Sequence, residues 1–143
     1  MIIRRVLPAD LPELVTLCAA HADFERAGPV APDLADRLAG ALFGTGRLGC
    51  LVLAGDDALG GYATFSREYS TWAGAEYTHL DCLFVTAGLR GGGWGRRLFD
   101  EVAALADGEV QWQTPEWNTA AQRFYARLGA RPAPKIRYTL PRP

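Results

Sequence analysis

The sequence predicts an α/β fold in which helices cover one mixed β-sheet. Runs with the two-residue period of strands and runs with the helical period follow each other in the order β-α-α-β-β-β-α-β-α-β. A glycine cluster lies between the apolar run 80–85 and the helix-patterned run 94–106, which is the position of a strand-to-helix turn. The chain contains no internal repeat and no low-complexity segment.

The elements of the first half follow from their periods and from turn residues. Asp10 and Glu13 have the spacing of a capping box that opens a helix. A proline-aspartate pair opens the second helix, and Gly44 closes it. The expected elements are a strand over 2–7, helices from 10 and over 32–44, and hairpin strands over 48–54 and 58–67 around Gly55-Asp56-Asp57.

The second half predicts a long central strand and then alternating helices and strands. Ile136, Tyr138 and Leu140 alternate with other residues near the end, which indicates a last strand. The expected elements are a strand over 76–85, a helix over 94–106, a short strand over 109–113, a helix over 118–128 and that last strand.

Length and composition predict one domain over residues 1–143. A chain of this length buries roughly 70% of the surface of its unfolded form, so it needs no disulfide. Cys18, Cys50 and Cys82 are odd in number and widely spaced, which suits a reducing compartment. Because the sequence shows no hydrophobic leader and no run of membrane-spanning length, we expect a cytoplasmic protein that does not bind membranes.

The charge balance argues against nucleic acid as a partner. The formal net charge is −1, and no basic cluster exists outside the glycine turn. Cys18 and His21 lie three residues apart in a helical pattern and could share a metal, but no second pair of ligands is present. We therefore expect no metal site, with Cys18 in the core and His21 partly exposed.

The segment Arg90-Gly91-Gly92-Gly93-Trp94-Gly95 has the composition of a phosphate-binding turn. Glycines have no Cβ, so successive N–H groups can converge on one anion at the positive end of the next helix. Arg90 and Arg96 add charge on both sides. A tight connection without a ligand is the alternative for such a cluster. A dinucleotide turn fails because Arg96 takes the place of its third glycine, and a P-loop fails because the only lysine is Lys135.

The pattern that is left, Arg90-x-x-Gly93-x-Gly95, resembles the pyrophosphate turn of the GCN5-related N-acetyltransferases, the GNAT superfamily. The stretch 117–130, with Asn118, Phe124-Tyr125 and Leu128-Gly129-Ala130, resembles the other acetyl-CoA motif of that superfamily. The resemblance implies the GNAT fold and acetyl-CoA as cosubstrate. In that fold the central strand bends away from the next one, which the sequence does not show directly.

The resemblance also implies the contacts with CoA. Backbone groups of the central strand pair with the pantetheine and the developing oxyanion, the glycine turn binds the diphosphate, and Asn118 holds the pantetheine. Asn118 could instead only cap its helix. The implied cofactor-binding residues are Leu83, Phe84, Val85, Arg90, Gly91, Gly92, Gly93, Trp94, Gly95, Arg96 and Asn118.

Two further stretches narrow the resemblance. Tyr69-Ser70-Thr71-Trp72-Ala73-Gly74 and Leu80-Asp81-Cys82-Leu83-Phe84-Val85 resemble the diamine, polyamine and thialysine acetyltransferases. Members of that group have adjacent Glu and Asp where this chain has Asp81 and Cys82, so one carboxylate is lost and the other is shorter. They are commonly homodimers, which implies a homodimer here.

The expected chemistry is direct attack by an amine on a thioester, and it needs a proton acceptor because only the neutral amine attacks. Asp81 takes the position of the family's base and is expected to act through a water, although it could merely attract a cationic substrate. His79, nominally on the same strand face, is the second candidate. Tyr125 is expected to protonate the departing thiolate, although it could merely pack. Cys82 is expected to face the core.

The acceptor is expected to bind outside the CoA motifs, at Asp23, Glu25, Trp72 and His79. Carboxylates beside an aromatic face suit a small cationic amine, although solvated carboxylates and a loop-anchoring tryptophan are the alternative. The leading hypothesis is an N-acetyltransferase for a diamine, polyamine or thialysine-like amine. The alternatives are another acceptor, namely an aminoglycoside, an amino acid or a protein N-terminus, and a CoA-binding module without catalysis.

Overall fold

The computed structural model describes all 143 residues and contains five strands and four α-helices. The elements are β1 (Ile2–Arg5), α1 (Leu11–Phe24), α2 (Leu34–Ala39), β2 (Gly49–Ala54), β3 (Leu59–Ser70), β4 (Ala75–Val85), α3 (Trp94–Leu105), β5 (Val110–Gln111) and α4 (Thr119–Arg127). Short helical turns at 8–10, 40–44 and 87–89 join some of them. The predicted order of helices and strands is confirmed as far as α4.

The five strands form one sheet in the order β1-β2-β3-β4-β5. Neighbouring strands from β1 to β4 are antiparallel, whereas β5 is parallel to β4, so the predicted mixed sheet is confirmed. The pairing of β5 is limited to Thr78 with Val110 and His79 with Gln111. Beyond His79, the edge of β4 on the β5 side therefore has no partner strand.

Contacts within the chain divide the molecule into two compact units, Met1–Gln113 and Thr114–Pro143. The first unit holds the whole sheet with α1, α2 and α3, and the second holds α4. The expectation of one domain over residues 1–143 stays a prediction.

The sheet of the first unit has two buried faces, as the alternation along β2 shows. Cys50 and Val52 belong to a cluster with Leu14 and Leu17 of α1, which we call the α1 face. Leu51 and Leu53, which point the other way, belong to a second cluster that we call the α3 face. The buried members of the α3 face are Leu51, Leu53, Ala63, Leu80, Val85, Leu98 and Val102.

The central strand β4 contains an extra residue at Asp81. Thr64 pairs with Cys82 and the next residue of β3, Phe65, pairs with Leu80, so Asp81 has no partner on β3. In keeping with such a bulge, Leu80 and Leu83 both contribute to the α3 face although they are three residues apart. The bulge therefore changes which residues of β4 face which side.

The predicted capping box at the start of α1 is wrong. Asp10 makes no capping bond to α1, because its carboxylate accepts from the N–H of Leu7 at 2.7 Å and from the Arg4 guanidinium at 2.7 and 3.0 Å. Glu13 does not turn back to the helix start either, because it accepts from the N–H of Leu59 at 2.6 Å. Here tertiary partners replace the local capping box.

The predicted last strand is also absent. Ile136, Tyr138 and Leu140 are 79%, 87% and 79% exposed, and no strand follows α4. The unit that contains them offers no strand as a partner, and Pro132 and Pro134 remove backbone donors just before the segment. An alternating pattern alone cannot form a strand without a neighbour to pair with.

Candidate functional site

The glycine turn lies at the junction between β4 and α3, where the sequence predicts it. After Val85 the chain makes a short helical turn over 87–89, and α3 then begins at Trp94. Gly91 and Gly93 have φ values of +82° and +80°, which side chains with a Cβ rarely adopt. The turn can form here because glycine adopts this left-handed conformation at little energetic cost.

The backbone N–H groups of the turn are available for a ligand. Arg90 N–H donates to the Ala87 carbonyl at 3.3 Å, and Arg97 N–H donates to the Gly93 carbonyl at 3.1 Å. The N–H groups of residues 91–96, between these two, have no backbone acceptor. They include the first donors of α3, at the positive end of its dipole. This arrangement suits an anion with several oxygens.

The space over the turn is open. A Cβ built at Gly91 or Gly93 meets no atom within 4 Å, whereas one at Gly92 comes 3.4 Å from the Trp94 ring. A side chain at position 93 would therefore enter open space beside the turn and would not clash with the protein.

The two arginines beside the turn are already engaged by the protein. Arg90 Nε donates to the Val85 carbonyl at 2.8 Å, and its guanidinium lies over the rings of Phe24 and Phe84. Arg96 Nε lies 3.1 and 3.0 Å from the two oxygens of Asp100, one helical turn further on. The roles of both side chains toward a cofactor stay predictions.

Leu83, Phe84 and Val85, the residues expected to pair with pantetheine, occupy the end of β4. They lie on the part of the strand that β5 does not cover, which leaves that backbone edge without a partner strand. The pairing of β5 with β4 thus ends before the glycine turn is reached. The sequence did not show this opening.

Asp81 and His79 lie together on β4. The distance from His79 Nε2 to Asp81 Oδ1 is 3.7 Å, and their side chains are 29% and 60% exposed. The bulge at Asp81 gives its carboxylate this open position, where water can reach it. The arrangement allows a carboxylate and an imidazole to share a proton path, and their catalytic roles stay predictions.

His21 is buried, and the prediction that it is partly exposed is wrong. Its Nδ1 lies 2.9 Å from the hydroxyl of Tyr62, and its Nε2 lies 3.3 Å from Oε1 of Glu25. Burial lowers the pKa of His21, although the charge of Glu25 opposes this shift. A carboxylate only accepts, so the neutral ring donates from Nε2 to Glu25 and accepts at Nδ1 from Tyr62. Both ring nitrogens are therefore occupied.

The His21 ring also stacks on Phe84, with centroids 5.0 Å apart and planes at 23°. Sequence reasoning missed this cluster because it examined His21 only as a metal ligand. The spacing of His21 and Glu25, one helical turn apart, was the available signal. Glu25 is thus engaged with His21, and its contact with an acceptor stays a prediction.

The thiols near Tyr62 are poor nucleophiles. Burial raises the pKa of Cys82 to about 11 and that of Cys50 to about 12, and burial also raises the pKa of Tyr62. At neutral pH these groups are protonated. Cys82 packs against the α1 face, as expected, and the geometry gives it no role as a nucleophile.

A cleft of about 380 Å³ lies between the end of α1 and the end of β4. Of the four residues expected to contact the acceptor, Asp23 alone lines it. A larger depression of about 500 Å³ borders β1 and α3, and Trp94 is the only predicted site residue there. Trp72 lies in the turn between β3 and β4 and is 99% exposed, so it does not anchor its loop.

Asn118 and Tyr125 belong to the second unit. The Asn118 side chain accepts from the N–H of Ala121 at 3.1 Å and caps α4, and the residue is buried. The ring of Tyr125 contacts that of Phe124 edge to face, with centroids 5.3 Å apart. Asn118 therefore has the capping role that we named as its alternative, and a contact with pantetheine stays a prediction.

No group of three or more His, Cys, Asp and Glu side chains lies close enough together to hold a metal ion. None of the helices combines the length and the apolar character needed to span a bilayer.

Residues 15–130 match the model of the acetyltransferase (GNAT) family. A segment of 64 residues, 43% of this chain, is 39% identical to the blasticidin-S acetyltransferase of Streptomyces morookaense. The match covers 47% of that relative, so it spans about half of its length.

Solved structures share the fold of this chain. A possible acetyltransferase from Clostridium difficile 630 has a TM-score of 0.83 at 15% identity, over 98% of this chain and 96% of that one. The ribosomal-protein-alanine N-acetyltransferase from Brucella melitensis biovar Abortus 2308 has a TM-score of 0.73 at 20% identity, over 99% of both chains. At these identities the likeness concerns the fold alone.

Proposed function

The chain belongs to the acetyltransferase (GNAT) family, and from this membership we propose that it transfers the acetyl group of acetyl-CoA to a primary amine of a small cationic acceptor. The observation that carries the proposal is the row of N–H groups at residues 91–96, which have no backbone acceptor and stand at the start of α3. These groups would bind the diphosphate of CoA, with little dependence on side-chain identity.

The end of β4 supports the placement of the acetyl group. Because β5 does not pair with residues 83–85, backbone groups there are free to bond the pantetheine amides. In the proposed mechanism, a backbone N–H near Leu83 stabilises the negative charge that develops on the acetyl oxygen. Asn118 would hold the pantetheine.

Proton transfer is assigned to two residues. Asp81 would remove the proton of the acceptor ammonium through a water, which its exposed carboxylate favours. His79, 3.7 Å away, would assist or replace it. Tyr125 would give its proton to the departing thiolate, a contribution of typically ~10²–10⁴ in rate.

The acceptor assignment rests on Asp23, which lines the cleft beside β4. A carboxylate at this position favours a cationic amine such as a diamine, a polyamine or a thialysine-like compound. The similarity to a blasticidin-S acetyltransferase makes a larger amine-bearing acceptor the second candidate. Assembly as a homodimer and a cytoplasmic location also belong to the proposal.

The diphosphate site is tested by placing a side chain in it. We expect Gly93→Val to abolish measurable CoA binding in calorimetry, because its side chain fills the open space over the N–H groups and strains a φ of +80°. Gly46→Val is the matched control, since Gly46 has a φ of +66° and equally open surroundings outside the turn. Unchanged affinity in the Gly93 variant would refute the diphosphate assignment.

The catalytic assignment is tested by Tyr125→Phe. This variant should bind CoA as the wild type does, while turnover with a responsive amine falls by about a hundredfold or more. Equal turnover would remove Tyr125 from the mechanism. If CoA binds but no amine in a broad panel releases the thiol, the protein is a CoA-binding module and the proposed activity is wrong.

A further inference from the structure

The segment after α4 has the alternating pattern of a half-buried strand, but its apolar side is exposed. The apolar residues are Ile136, Tyr138 and Leu140, which are 79%, 87% and 79% exposed, and the residues between them are polar. A row of three large apolar side chains in water is typical of a surface that meets a partner. The segment 135–140 has no such partner within its own chain, because no strand pairs with it.

The sheet has two outer edges at which a further strand could pair, because β1 and β5 end the strand order. The charges distinguish these edges. The segment 131–143 contains four basic residues and no acidic one. β1 contains Arg4 and Arg5, whereas residues 106–113 around β5 contain two acidic residues and no basic one. Opposite charges on neighbouring strands are favourable and like charges are not, so the edge of β5 suits the segment and the edge of β1 does not.

The two faces of β5 also match the two faces of the segment. Val110 and Trp112 pack against the α3 face. The residues that alternate with them are exposed, namely Glu109, Gln111 and Gln113. A strand beside β5 would therefore extend the apolar side of the sheet with its own apolar residues. In the same register its basic residues, Lys135 and Arg137, would lie on the side of Glu109.

We propose that the segment 135–140 of one copy pairs with the outer edge of β5 in a second copy, and that the exchange is reciprocal. A reciprocal exchange uses the same two surfaces twice and closes the assembly as a dimer. It also covers the outer edge of β5, which would otherwise expose unpaired backbone groups. The inference rests on the homodimer of the proposed function and names the surfaces that form it.

The first test measures the assembly by light scattering and analytical ultracentrifugation. The wild type should be a dimer, and Tyr138→Asn should raise the dissociation constant of the dimer at least about tenfold, because it removes a large apolar contact. Thr139→Asn is the matched control: it introduces the same side chain on the opposite face and should change the constant by less than about threefold. Both positions follow the last helix, and circular dichroism should show an unchanged fold. A monomeric wild type, or equal constants in the two variants, would overturn the inference.

A charge exchange tests whether the segment lies at β5. Glu109→Lys should weaken the dimer, and so should the pair Lys135→Glu and Arg137→Glu, because each change places like charges on neighbouring strands. The combination of all three changes should restore part of the lost affinity, because it recreates opposite charges with their signs reversed. If the losses in the combined variant are merely additive, the segment does not meet β5 and the inference is wrong.

Disulfide formation distinguishes exchange between copies from pairing within one chain. One copy carries Gln111→Cys, and the other carries Lys135→Cys, Arg137→Cys or Thr139→Cys, which together sample the possible registers. Opposite residues of neighbouring strands have Cα atoms about 4.5–5.5 Å apart, which a disulfide can span. One of the three mixtures should give a covalent heterodimer under mild oxidation. Mixtures with the wild type are the control for the three native thiols.

The outcomes separate this inference from the proposed function. No covalent heterodimer in any of the three mixtures, or a bridge formed within a monomer when both substitutions are in one chain, would overturn the exchange. A dimer that does not depend on the segment would overturn the exchange and leave the homodimer standing. None of these measurements uses acetyl-CoA, so a crosslinked dimer without activity toward any amine would contradict the proposed acetyl transfer alone.

Discussion

On the α3 face of the sheet the buried residues are all aliphatic, whereas on the α1 face His21 and Tyr62 are buried beside cysteines. Both faces exclude water from most of their side chains, but the α1 face also buries an imidazole and a phenol, which need hydrogen-bond partners. The chain from Glu25 through His21 to Tyr62 meets that need for the imidazole and the phenol, whereas the buried hydroxyl of Thr64 has no hydrogen-bond partner. The polar interior also lies on the side of the candidate cleft, since Phe84 contacts His21 and lines the cleft.

The two faces should differ in how their contributions to the free energy of unfolding depend on pH. The α3 face should contribute a stability that does not depend on pH in the mildly acidic range, because it contains no titratable group. The α1 face should contribute a stability that does, because His21 must remain neutral. Substitutions on the two faces can test this contrast.

The largest effect is expected from Leu98→Ala on the α3 face. Leu98 is fully buried, and truncation of such a leucine costs about 2–5 kcal/mol in free energy of unfolding. Denaturant unfolding measures the loss, and Leu105→Ala is the control because Leu105 lies on the same helix but is 44% exposed. A loss below about 1 kcal/mol would show that the α3 face is not tightly packed.

The next largest effect is expected in the pH dependence of the stability that the α1 face contributes. The pKa of His21 is lowered in the folded protein, so the unfolded chain takes up a proton more readily below about pH 6.5. The contribution of neutral His21 to the free energy of unfolding should therefore be fully present above that pH. Below it, the free energy of unfolding should fall as the pH decreases, by at most about 1.4 kcal/mol per pH unit. His21→Phe should flatten this slope, whereas Leu98→Ala should keep it at a lower overall stability.

His21 and Asp10 affect the free energy of unfolding in separate parts of the acid range. Besides Glu25, the charges that act on His21 are Asp81, which raises its pKa, and Arg90, which lowers it. The Arg4 guanidinium lowers the pKa of Asp10, whose contribution is lost only below its usual value of about 3.9. A slope between pH 6.5 and 5 that persists in His21→Phe would contradict the assignment to His21.

A smaller effect is expected from Tyr62→Phe. This change removes the hydroxyl at His21 Nδ1 and should cost about 1 kcal/mol, the usual net contribution of a buried hydrogen bond. Tyr138→Phe, at an 87% exposed position, is the control. If Tyr62→Phe leaves the free energy of unfolding unchanged, the hydroxyl is not needed to satisfy His21.

The smallest effect at neutral pH is expected from Glu25→Gln. Neutral His21 can still donate from Nε2 to the amide oxygen, so the loss should be about 0.5 kcal/mol or less at pH 7.5. Below pH 6.5 the variant should lose more stability than the wild type, because the charge of Glu25 no longer raises the pKa of His21. Chemical denaturation at a series of pH values measures this difference. If the free energy of unfolding depends on pH in the same way in the variant and the wild type, the charge of Glu25 does not act on the ring.

The sequence was sufficient for the elements whose signal is local. The proline-aspartate pair at 32–33 predicts the start of α2, and the glycines before Trp94 predict the turn at the start of α3. In these cases the residues that form an element are the residues that specify it. The mixed sheet follows from the order of the elements.

What failed depended on partners outside the element that the pattern describes. The capping box was lost because Asp10 has Arg4 as a partner and Glu13 has the N–H of Leu59. The burial of His21 depends on Tyr62, 41 residues away. The Arg90 guanidinium reaches Phe24, which no periodicity could reveal. The cleft therefore emerged only from the structure, although Asp23 was expected to contact the acceptor and Arg90 the cofactor.

The extra residue at Asp81 makes β4 behave as two pleated segments out of phase. Removing one residue there would join the segments into one continuous pleat, so Leu80 and Leu83 could no longer both point toward α3. The fold should thus tolerate substitutions at position 81, whereas deletion of one residue there should move the side chains of one half of the strand to the opposite face of the sheet. Chain length at this point is a stricter requirement than residue identity.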